Sequence, residues 1–170
     1  YDSNKMNPFL WLFFHYLYVR IPLFHPDKFL QDTLKYVTPF ASKTVFFIYA
    51  SISLSGLIML FFRFDEFINT FTYFFNWEGM FVYLAVIFLT KILHELGHAY
   101  TAKYYGVHIP VMGVALIVMW PVLFTDVTDS WKLTNRWKRF AISSAGIVVE
   151  LVVAGLATWG WVLSSPGVMQ

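Results

Sequence analysis

The stretch FVYLAVIFLTKILHELGHAYTAKYY, Phe81 to Tyr105, decides how the chain is read. Its first half is unbroken apolar sequence, and its second half carries His94-Glu95-Leu96-Gly97-His98. Residues four apart share a face of a helix. His94 and His98 can therefore hold one zinc ion through imidazole nitrogens. Glu95, one step round, can reach a water on that ion and act as general base. The plainer reading is a helix with two packing histidines and a stray glutamate. It fails on placement, because ionisable groups in a segment apolar enough to cross a bilayer are costly and mark function. Lys91 lies three residues before His94 and four before Glu95. It either steadies ionised Glu95 or a substrate carboxylate, or faces a polar groove with no chemical role.

The surroundings agree with a membrane setting. Of the 170 residues, 58% are hydrophobic and only 13% charged, against about a quarter charged in soluble domains. A net charge of +2 is too small to suggest nucleic acid as a partner. With no cysteine in the chain, zinc must be held by nitrogen and oxygen, which suits a hydrolytic site better than a structural one. No cleavable signal peptide is visible at YDSNKMNPF. The chain starts at Tyr1 and stops at Gln170 just past an apolar run, which suggests a piece of something longer.

Two units are expected: residues 1–43 as an interfacial or cytoplasmic N-terminal segment, and residues 44–170 as a membrane-embedded core. In the first, Pro8 to Val19 is aromatic-rich and too short to span, so it reads as interfacial or re-entrant, with His15 as a packing residue. Pro26 to Val37 reads as a short amphipathic helix able to lie along the membrane surface. In the second, spans are expected over Thr44 to Phe62, Met80 to Tyr105 and Phe140 to Leu163. Phe64 to Gly79 reads as an acidic loop. Lys35, Lys43 and Lys103 mark the cytoplasmic side by the positive-inside rule. His98 then lies about 12 Å from the cytoplasmic end of its helix, so the metal sits in the membrane nearer that face.

The segment VHIPVMGVALIVMWPVLF, Val107 to Phe124, is broken by Pro110, Gly113 and Pro121. Both ends lie on the basic side, so a re-entrant hairpin fits better than a crossing. Non-helical backbone at depth must line a cavity or be buried in protein. A substrate entering as an extended strand can pair with such an edge. Asp126 follows directly, either dipped toward the site or bonding its local turn backbone. In the last span Ala145, Gly146, Ala154 and Gly155 permit close helix contact. Glu150 stands mid-span, with a metal or substrate role or as a protonated group bonded to a neighbouring helix.

With three spans, a membrane-embedded HELGH and a Gly-x-x-x-Glu helix in order, the chain resembles the site-2 protease family of intramembrane zinc metalloproteases from about Val82 to Leu163. The fold this implies is an all-α polytopic membrane protein: about three transmembrane helices plus a re-entrant apolar segment, forming an incomplete site-2-protease-like core. The resemblance makes His94 and His98 zinc ligands and Glu95 the catalytic glutamate. The family's Gly-Pro-x-x-Asn pattern reads here Gly146-Ile147-Val148-Val149-Glu150, keeping only the glycine. RIPLFHPDKFL, HELGHAYTAKYYG, PVLFTDVTDSW and SSAGIVVELVVAG are similar to a bacterial branch of peptide zinc metalloproteases. That branch implies work in the bacterial cytoplasmic membrane on membrane-associated or exported peptides, beside a secretion or export partner. The family completes its zinc site with an Asp-Gly motif, absent here. The third ligand then lies beyond Gln170, or Asp126 or Glu150 substitutes. The alternative is a non-catalytic scaffold that binds client helices or a secretion partner.

Overall fold

A computed structural model describes residues 18–164 except 74 and 118–119. Apart from its last two residues, the Pro8 to Val19 segment, His15 included, lies outside the described residues. Three helices are long and apolar enough to cross a membrane. In the numbering used below, strand β1 covers Tyr18–Phe24, helix α1 Asp27–Val37, α2 Lys43–Phe62, α3 Phe64–Tyr73 and α4 Trp77–Tyr104. Strands β2 (Met112–Ile117) and β3 (Trp120–Thr125) follow, and α5 (Arg136–Ser164) is last.

Local chemistry sets the ends of the long helices. Ser42 caps α2 by accepting from the Val45 N–H at 3.3 Å, and Asn76 caps α4 by accepting from the Gly79 N–H at 2.6 Å. Gly106, at φ +80°, closes α4. The Val107 N–H reaches back to the Ala102 carbonyl at 3.0 Å and the Gly106 N–H to Lys103 at 2.9 Å. This is the left-handed glycine termination that satisfies otherwise orphaned carbonyls. Helix α5 begins four residues before the expected start at Phe140, because the Asn135 side chain accepts from the Trp137 N–H at 2.9 Å.

Helix α5 packs against both α4 and α2. Toward α2 the approach is set by Gly155, where a Cβ would fall 2.4 Å from the Ser53 Cα. Trp159 Nε1 donates to Ser55 Oγ across the same contact at 3.1 Å. Outward, the long helices carry exposed Phe47, Phe61, Phe62, Phe81, Leu89 and Leu156. Apolar surface on this scale suits lipid rather than water.

The mostly helical fold with three helices able to span a membrane is the expected one. A small sheet is added to it: β1, β2 and β3 form an antiparallel sheet in that order. Arg20 and Pro22, just past the aromatic segment, lie inside β1, paired with Ala115 and Gly113. The 107–124 segment does supply an extended hairpin, with Ala115 opposite Val122. Phe64 to Tyr73 is a helix rather than a loop. Asp65 and Glu66 occupy its first turn, where acidic groups suit the helix dipole, and Glu66 pairs with Arg63. Phe67 stacks edge-on against Trp161 of α5.

The buried core lies at one end of the long helices. Leu30 of α1, Ala99 and Ala102 of α4, Val107, Ile109, Met112 and Ile142 of α5 pack there together. Asp27 clamps this region. Its Oδ1 accepts from Lys103 Nζ at 2.8 Å and from the Ile109 N–H at 2.9 Å, and lies 3.0 Å from His108 Nδ1. Burial alone would raise the Asp27 carboxyl. The Ile109 N–H and Lys103 outweigh it and hold the group below its ordinary value of 3.8. The stabilisation is therefore complete above about pH 4 and is lost as pH falls through the lowered folded-state value. Spin labels at exposed Lys28 and Tyr104 should report a fixed α1–α4 distance above about pH 4 that broadens in stronger acid. In Asp27→Asn that pH step should be absent.

Candidate functional site

Helical spacing puts His94 and His98 on the face of α4 that meets α5. Their ring centroids are 4.7 Å apart and their Nε2 atoms 3.0 Å apart. Helix α5 runs antiparallel to α4 along this face, and three of its residues spaced four apart meet the pair. Ile142 offers its carbonyl to His98 Nδ1 at 2.6 Å. A carbonyl only accepts, so Nδ1 of His98 carries the proton and its Nε2 presents a lone pair. Two turns on, Glu150 Oε1 lies 3.1 Å from His94 Nδ1. That nitrogen is buried and short of hydrogen-bond alignment with any described group. Between them, Gly146 leaves open the space where the two Nε2 atoms converge: a Cβ there would sit 2.5 Å from each.

This arrangement fits a soft-to-borderline cation held by neutral imidazoles. Two imidazole nitrogens facing each other at 3.0 Å need a proton or a metal ion between them. Zinc accepts such nitrogen donors readily. Among the described residues, no group of three or more His, Asp or Glu side chains converges on one point. The described residues bring two imidazole nitrogens to that point.

Glu95 is partly buried, and its carboxylate has no hydrogen-bond or ion-pair partner among the described residues. A carboxylate without a partner is available to accept a proton. Its backbone carbonyl accepts from Thr125 Oγ1 at 3.2 Å, which ties the end of β3 to the histidine-bearing turn.

Asp126 and Glu150, the two candidate substitute ligands, meet other groups among the described residues. Asp126 accepts from the Thr128 N–H at 3.0 Å, in the manner of a local turn. Hydrogen bonds from Thr128 hold its carboxyl below 3.8 despite burial, with Arg20 adding to the effect. It lines a cleft of about 400 Å³ with Arg20, Trp131 and Arg139. Glu150 approaches His94 from the Nδ1 side, opposite the nitrogen that faces His98. Lys91, weighed as a partner for Glu95, instead bonds Glu150 Oε1 at 2.6 Å. The carbonyl of Ile142 was invisible in the sequence. The spacing of Ile142, Gly146 and Glu150, four and four, was the available signal.

The family model described as Peptidase family M50 matches residues 81–168, just over half of the chain and all of the α4–α5 site. No curated protein and no solved structure matches the chain.

Gly146→Ala should force both rings from their convergence point while leaving the helices formed. Chelator-competition titration should then show zinc affinity reduced by about 10–100-fold, the range for disturbed ligand orientation. Unchanged affinity would mean that the rings do not bind where Gly146 leaves room.

Proposed function

The chain belongs to peptidase family M50, and from that membership we propose that it is a zinc metalloendopeptidase working within the membrane. The observation that carries the proposal is the pair of Nε2 atoms 3.0 Å apart over Gly146, beside a glutamate with no other partner among the described residues. His94 and His98 would hold zinc through these nitrogens. Zinc, when bound, polarises a scissile carbonyl and lowers the pKa of water at the site. Glu95 takes the proton from the attacking water and passes it to the leaving amine as the peptide bond breaks.

A transmembrane substrate hides its peptide bonds in its own helix, so it must be extended before cleavage. The sheet order leaves the outer edge of β3 unpaired among the described residues, and Thr125 at its end is tied to Glu95. An extended chain added along that edge would hydrogen-bond through its backbone and run toward the catalytic turn. Pro121 within β3 is tolerated because proline is compatible with edge strands. Three helices able to span support a membrane setting, and the basic residues flanking them support a site nearer the cytoplasmic face. Membrane-associated or exported peptides are the substrates this reading favours, with a secretion partner as their source.

Glu95→Gln should lower the rate of peptide hydrolysis by about 10²–10⁴-fold while zinc stays bound. Cleavage that continues unchanged in Glu95→Gln would replace the enzyme with a scaffold for client helices or a secretion partner.

A further inference from the structure

Lys91, His94 and Glu150 form a chain of contacts that the hydrolytic mechanism does not use. Lys91 Nζ lies 2.6 Å from Glu150 Oε1, and the same oxygen lies 3.1 Å from His94 Nδ1. Charged groups within spans are expensive unless paired, and this pair crosses from α4 to α5. The two histidines are thereby flanked in the same order, with His98 Nδ1 in full hydrogen-bond geometry and His94 Nδ1 within 3.1 Å of its acceptor but short of alignment. Each has its Nδ1 against an acceptor on α5, a backbone carbonyl for His98 and a carboxylate for His94. Each has its Nε2 turned to the gap over Gly146. Histidines that bind metals commonly donate their second ring N–H to such an acceptor, which selects the tautomer and fixes the ring plane.

We infer that Glu150, anchored by Lys91, is a positioning residue that holds His94 with its proton on Nδ1 and its Nε2 lone pair toward the metal. Its place on the far side of the ring separates this role from that of a third ligand. Lys91 fixes which oxygen faces the ring and offsets the carboxylate charge between the helices. The mid-span glutamate, which keeps polarity where the family pattern has asparagine, is then explained by what it touches. Ile142, Gly146 and Glu150 become one device: acceptor, gap, acceptor, set opposite His94 and His98 by the antiparallel run of the two helices.

The inference rests on the zinc reading above, and its test separates the two. Zinc dissociation constants would be measured by chelator competition for the wild type, Glu150→Ala, Glu150→Gln, Lys91→Gln and His94→Ala. Nitrogen-15 spectra of the zinc-loaded forms would report the His94 tautomer. Glu150→Ala should weaken zinc by about 10–100-fold and relax the preference for a proton on Nδ1. Glu150→Gln should recover most of the loss, because its amide oxygen still accepts from Nδ1–H. Lys91→Gln should move affinity in the same direction as Glu150→Ala, but less. If an unpaired Lys91 prevents Glu150→Ala from folding, Lys91→Met/Glu150→Ala removes both charges and carries the same expectation. Wild-type affinity and tautomer in the alanine variants would overturn the inference alone. Loss of zinc in Glu150→Gln as complete as in His94→Ala would make Glu150 a ligand and overturn it in favour of direct binding. A wild-type chain that binds no zinc would overturn the proposed function together with it.

Discussion

The hydrogen bond from His98 Nδ1 to the Ile142 carbonyl is the contact on which the site depends. A backbone carbonyl has two lone pairs, so one within a helix can still accept from outside. Here the same residue that supplies this acceptor also buries its side chain in the core formed by α1, α4 and the loop after α4. Packing and chemistry are joined at one position: moving Ile142 disturbs both the helix contact and the ring it orients. The bond requires α4 and α5 to come close, and Gly97 and Gly146 permit it. A Cβ at Gly97 would meet Val149 Cγ2 at 2.9 Å, as one at Gly146 would meet the imidazoles.

Around this contact the polar groups sort by environment. In the spans, Lys91, Glu150 and the two histidines turn toward one another across the α4–α5 contact, while large apolar side chains face outward. At the core end, Asp27, Lys103 and the Ile109 N–H form a second polar cluster that docks α1 and the loop into β2. Thr33 and Tyr100 add a hydroxyl pair at 2.9 Å to the same docking. The short amphipathic helix thus acts as a brace on α4 at Tyr100 and Lys103, beyond the surface role its pattern suggests. Thr125 links the third component, the sheet, to Glu95. Sheet edge and α5 meet the histidine-bearing turns of α4, and the helix brace holds the turns that follow.

The sequence was most legible where one residue type at one spacing has a single physical use. His94 and His98 had to share a face, and the long apolar runs had to be helices of spanning length. The Gly106 stop and the extended character of 107–124 followed from backbone limits that glycine and proline impose. Other features were hidden because they depend on partners distant in sequence. The acidic residues of Phe64 to Tyr73 suggest a loop, yet they also suit a helix start, and Phe67 finds Trp161 only in the fold. Arg20 and Pro22 carry no strand signal of their own, and the strand they belong to is formed by pairing with β2. Lys91 could be placed near Glu95 on its own helix, but the antiparallel register that hands it to Glu150 belongs to two helices together. A backbone acceptor such as the Ile142 carbonyl has no residue signature at all.

Zinc binding over Gly146 is tested most directly by X-ray absorption at the zinc edge on the purified, zinc-loaded protein. A zinc held there should give a light-atom shell at about 2.0–2.1 Å with the outer scattering of two imidazoles and no sulfur. One imidazole should disappear in His94→Ala. Zinc bound without imidazole scattering, or a spectrum unchanged by His94→Ala, would contradict that placement, because the two Nε2 atoms over Gly146 would then not be where the metal binds.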